Sequence, residues 1–120
     1  MNKFREFRFY LDEKGKSLVR EFIENLQNSE RTKVLRMFEK LQNELPQIIQ
    51  TPYYKQFKHN TFHLGELKID AFRFIVSEIE KDIFIVLTGF RKQIYNTPQN
   101  ELIIAEKRIK HYLEKKELGL

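Results

Sequence analysis

Glu66 and Lys68 precede the dipeptide Asp70-Ala71 and Arg73 follows it. A two-residue hairpin loop at that dipeptide pairs Ile69 with Phe72 and Lys68 with Arg73, which puts two cations side by side on one face. Like charges directly opposite each other are destabilising, so the pair needs a counterion or a purpose. Glu66, two positions before Lys68 and hence on the same face, is the expected counterion. Further on, Gly89-Phe90-Arg91-Lys92 delivers two more cations where a strand stops, and Tyr95 follows in the next loop. Cations beside a phenol suit metal-free cleavage of RNA, in which the ribose 2′-OH attacks the neighbouring phosphate and negative charge builds on the phosphorane. The planar guanidinium of Arg73 suits two-point phosphate contact, and Lys68, next to another cation, is the candidate for proton transfer. The competing reading of Glu66, Lys68 and Arg73 is a solvated ion-pair patch on a sheet face.

The elements that must position these residues can be read from periodicity. Residues 6–11 alternate Phe7 and Phe9 with Arg8 and Tyr10, a short strand closed by the polar turn 12–16 with Gly15. From Ser17 the period becomes helical, with Leu18, Val19, Phe22, Ile23 and Leu26 on one stripe. Asn28 and Ser29 can cap a second helix, whose stripe is Val34, Leu35, Phe38, Leu41 and Leu45 before Pro46 ends it. Residues 46–61 show no regular period and read as an ordered basic loop. Residues 62–69, 72–79 and 83–90 form an antiparallel meander of aromatic and β-branched runs. Thr97 can cap a last helix with Pro98 at its first position, and Leu102, Ala105, Ile109, Tyr112 and Leu113 form the buried stripe. The order β-α-α-β-β-β-α predicts an α+β fold with a small antiparallel sheet, an N-terminal helical hairpin and a C-terminal helix.

Length and composition narrow the class. A chain of 120 residues fits a single domain spanning 1–120. An apolar fraction of 41% with eleven Phe argues for a packed core in spite of 32% charged residues. Cysteine is absent, and His59, His63 and His111 have no metal-ligand spacing, so neither a disulfide framework nor a metal site is expected. No run approaches the roughly 20 apolar residues of a membrane helix, so a cytoplasmic protein without a membrane partner is expected. The net charge of +5 favours association with a polyanion such as RNA, although charge alone is a weak signal.

Leu64-Gly65-Glu66-Leu67-Lys68-Ile69, Phe72-Arg73-Phe74, Leu87-Thr88-Gly89-Phe90-Arg91-Lys92 and Thr97-Pro98 with Glu101 and Ala105 resemble the phage-derived Gp49-like, HigB-type branch of the RelE toxin superfamily. The matching core covers about residues 62–113. The resemblance implies a RelE-like fold and a toxin that cuts messenger RNA in the ribosomal decoding site without a cofactor. It also implies neutralisation by a helix-turn-helix antitoxin. By position it assigns a catalytic cation to Lys68, the phosphate-binding arginine to Arg73, a further cation to Lys92 or Arg91, and base stacking or protonation to Tyr95. The sequence departs from the family pattern at Lys68, where Arg is usual, and at Gln93 and Ile94, which replace a second Lys and a Thr. These departures motivate an alternative: a weak or inactive RelE-like module that binds an antitoxin-like partner or nucleic acid without cutting.

Outside this constellation, Lys55 and Lys58 interleave with Tyr53, Tyr54 and Phe57, a pattern that can hold RNA, although packing is the expected role of the rings. His59 and His63 are candidate acid or base groups but read as surface groups. The lysines after Lys107 fit either ribosomal RNA or a solvated helix end.

Overall fold

A computed structural model describes residues 3–45, 52–92 and 98–119. The alternating residues at the N-terminus form β1 (Glu6–Phe9). The turn after it is built on Asp12, whose carboxylate accepts the N–H groups of Lys14 and Lys16, and on Gly15 at φ 77°. Ser17 then caps α1 (Leu18–Glu24), its hydroxyl accepting the Arg20 N–H at 3.1 Å. In α2 (Asn28–Asn43) the cap position is Gln27, which makes no side-chain cap bond, so the expected capping by Asn28 or Ser29 is corrected: both already lie in the first turn. Then come β2 (Tyr54–His59), β3 (Phe62–Ile69), β4 (Phe72–Glu80), β5 (Ile83–Arg91) and α3 (Gln99–Glu117). Pro98 occupies the cap position of α3, while the expected cap Thr97 and the helix-ending Pro46 lie outside the described residues.

The fold is α+β, and the predicted meander is present with nearly the predicted bounds. Two corrections apply. Residues 54–59, expected in an irregular loop, form an additional strand paired antiparallel with β3. The sheet is also mixed and not antiparallel throughout, because β1 lies parallel to β5. The strand order is β1-β5-β4-β3-β2, so β1 and β2 are the two edges and the helical hairpin carries the chain from one edge to the other.

Both faces of the sheet are covered, which accounts for the doubly apolar β4 and β5. Val19 and Ile23 of α1 and Val34, Phe38 and Leu41 of α2 pack on Leu67, Phe72, Phe74, Phe84 and Val86. Leu102, Ala105 and Ile109 of α3 pack on Leu64, Ile75, Ile85, Leu87 and Phe90 of the opposite face. Phe72, Phe74 and Phe84 are fully buried, each contributing about 1.5–3 kcal/mol by removal from water. Three residues expected in buried stripes, Leu18, Leu35 and Leu113, are exposed.

Candidate functional site

The turn between β3 and β4 sets the first part of the site. Asp70 adopts φ 56°, a left-handed conformation that Asp tolerates, and the two-residue loop fixes Ile69 opposite Phe72 and Lys68 opposite Arg73. Period-two alternation then puts Glu66, Lys68 and Arg73 on the α3 face of the sheet. β2 adds Lys55, which pairs with Glu66 and so shares that face.

The end of β5 is set by an irregularity. Ile75 pairs with Thr88 but Val76 pairs with Val86, so Leu87 is an additional residue on β5, a β-bulge. Beyond the bulge Phe90 stands opposite Arg73, and Lys92, two residues on, falls on the same face; its N–H donates to the Ala71 carbonyl at 2.8 Å. Arg91 is turned to the other side of the sheet. There its guanidinium lies 2.9 Å from Glu30 of α2 and 4.6 Å from the centroid of the Phe72 ring. The grouping of Arg91 with Lys68 and Arg73 is therefore corrected, and of the two cations after the Gly-Phe dipeptide it is Lys92 that reaches the site.

These residues line an open cleft of about 530 Å³, with Lys55, Lys68, Arg73, Lys92 and Glu66 as its charged groups and Pro52, Tyr54, Phe57, Phe90 and Leu102 as its other walls. Arg73 forms the floor. Its side chain is 6% exposed, its Nη1 donates to the Asp70 and Phe72 carbonyls at 2.8 Å each, and its Nε lies 3.7 Å from Glu66. Nη2 makes no hydrogen bond among the described residues. The three lysines are exposed, so mobile ammonium groups surround a guanidinium fixed by backbone carbonyls. Four cations against one carboxylate leave the cleft positive and suited to an anion.

Lys58 pairs with His63 on the reverse face of the sheet and does not line the cleft, whereas Lys55 does. Tyr95, the expected aromatic hydroxyl, lies outside the described residues, as do Gln93 and Ile94. Tyr54, which the sequence reading assigned to packing, does line the cleft, but its ring also lies in the core, 5.9 Å from Phe84. Burial pushes its phenol up from the usual value, which keeps it protonated. A methyl group at Gly65 would overlap this ring, which explains glycine in the middle of β3. The histidines are elsewhere: His59 Nδ1 is 3.1 Å from Glu106, and His111 hydrogen-bonds the Tyr10 hydroxyl. Among the described residues no three His, Cys, Asp or Glu side chains converge as metal ligands, and no helix is long and apolar enough to cross a membrane.

The α+β fold places a strand-borne arginine beneath exposed lysines on one sheet face, an arrangement whose positive charge attracts anions. The model of the phage-derived protein Gp49-like family (DUF891) matches residues 21–110, three-quarters of the chain. The chain belongs to this family, a RelE/HigB-type toxin family, and is thereby a RelE-type protein related to toxin-antitoxin systems. No curated protein matches the chain in sequence.

Proposed function

We propose that this protein is the toxin of a toxin-antitoxin pair and cleaves messenger RNA on the ribosome without a metal ion. The observation that carries this reading is the convergence of Lys68, Arg73 and Lys92 on one open cleft. A phosphodiester held there by Arg73 and the lysines meets positive charge where its phosphorane becomes negative. The 2′-hydroxyl gives up its proton as its oxygen attacks phosphorus, the bond to the 5′-oxygen breaks, and that oxygen takes up a proton, so no net proton is consumed. The products are a 2′,3′-cyclic phosphate and a 5′-hydroxyl end. Lys68, beside Arg73 on the cleft wall, is the proposed proton-transfer group. Glu66 orients Arg73, and Lys55 holds the flanking backbone. The partner proposed for neutralisation is a helix-turn-helix antitoxin.

The test is expression without a partner. Growth arrests, primer extension finds new transcript ends within translated regions, and Arg73→Ala abolishes both; equal toxicity of the two forms would reject the assignment. A second reading, a module that binds RNA or an antitoxin-like protein without cutting, draws support from Arg73 itself, whose Nη1 and Nε already face protein acceptors. Tight binding with intact transcripts on programmed ribosomes would select it.

A further inference from the structure

The bulge in β5 decides which cation enters the cleft, and a residue outside the cleft lining holds its carbonyl. Arg108 of α3 donates from Nη1 to the carbonyl of Leu87, the additional residue, at 2.6 Å. Arg108 is half-buried against β5, its guanidinium is 5.7 Å from the centroid of Tyr10, and it is not among the side chains lining the cleft. A bulge interrupts the ladder and bends its strand, so its carbonyl needs a partner that the regular pairing does not guarantee. Beyond it the strand pairs with β4 from Thr88 to Arg91, opposite Ile75 to Phe72. Gly89 must stay bare, since a methyl there would come within 2.7 Å of Phe74 and 3.1 Å of Phe22, and the Lys92 N–H reaches back to Ala71. The end of a strand opens locally more readily than its middle, and the direction of this end is set by the bulge that precedes it.

We propose that Arg108 is a positioning residue: by holding the Leu87 carbonyl it fixes the bulge, and through it the direction in which β5 presents Lys92 to the cleft. The role for Lys92 in cleavage rests on the function proposed above; the pinning of the bulge does not. A charged donor on a carbonyl is among the stronger hydrogen bonds, so its loss admits opening of the strand end at least about tenfold more often.

Two measurements test this on the full-length protein. In the first, amide hydrogen exchange is compared between the parent, Arg108→Ala and Arg108→Lys. Arg108→Ala speeds exchange at Gly89, Phe90 and Lys92 by about tenfold or more while β3 and the β3-facing half of β4 keep their protection, and Arg108→Lys, which retains one donor, restores most of it. A uniform change over the whole sheet, or none at Lys92, would overturn the proposal. The second is a double-mutant cycle on ribosomal cleavage. Lys92→Ala costs less in the Arg108→Ala background than in the parent, because Lys92 is then already poorly placed; strictly multiplicative losses would also overturn it. A parent protein that leaves RNA intact sinks the nuclease reading alone, since the exchange pattern still decides whether Arg108 pins the strand.

Discussion

Arg73→Ala separates chemistry from folding at a single position. The side chain is 6% exposed, donates from one nitrogen to the carbonyls of Asp70 and Phe72, and faces Glu66 across 3.7 Å. Truncation releases two carbonyls and one carboxylate. Asp70 and Lys68 are exposed beside an open cleft, so water can reach much of what is released, and the repulsion between Arg73 and Lys68 across the strand pair disappears. Hydrogen bonds from charged groups are worth about 1.5–3 kcal/mol each. With two of them sharing one donor and partial rehydration, the expected loss of stability is about 1–3 kcal/mol. The loss in cleavage is larger in kind, because a preorganised donor aimed at developing charge is worth about 10²–10³ in rate. Arg73→Lys keeps the charge but not the fork, and should fall between the two. The assay pairs urea unfolding, which gives stability, with cleavage of messenger RNA by purified protein on programmed ribosomes at a fixed salt concentration. Cleavage within about threefold of the parent, alongside a measurable loss of stability, would refute the reasoning, since one transition-state donor is worth far more than that. Arg73 would then be a strut of the β3–β4 turn and nothing more.

Lys55→Ala should weaken binding of an RNA oligonucleotide and lower the magnitude of its salt slope by about one, whereas Lys58→Ala, on the reverse face, should change neither; titrations at several salt concentrations check both. Gly65→Ala drives a methyl group into the Tyr54 ring and should cost about 1–3 kcal/mol in urea unfolding, with the Tyr54→Phe variant leaving the clash in place. The Glu106 carboxylate is held below its ordinary value, first by the Asn60 side chain and then by Lys110 and His59. A lowered carboxylate stabilises the fold above its unfolded value of about 4.3 and loses that contribution as pH falls through the lower folded value. The difference in urea midpoint between the parent and Glu106→Gln should therefore be present near neutral pH and close at more acid pH; a gap that stays constant across that range would show that the carboxylate's charge is irrelevant.

Local pattern made much of the architecture legible. Helical periodicity set α1, α2 and α3, and the aromatic and β-branched runs set β3, β4 and β5 close to their observed bounds. The edge strand β2 was missed because only one of its six residues is buried, so its alternation carries little apolar contrast, and its lysines suit an edge that must not pair further. The parallel pairing of β1 with β5 joins residues on either side of the helical hairpin and of β2, β3 and β4, and nothing in a short alternating run says which way its neighbour runs.

The same division runs through the site. By itself the sequence determined that Lys68 and Arg73 stand side by side with Glu66 on their face, because a two-residue turn fixes the register and the period of two then assigns every side chain to a face. Only the tertiary structure decided between Arg91 and Lys92. One inserted residue reverses the face of everything after it, and whether a strand accepts that insertion depends on partners distant in sequence: Arg108 on α3, which takes the Leu87 carbonyl, and Phe22 and Phe74, which leave room for glycine and nothing larger at position 89.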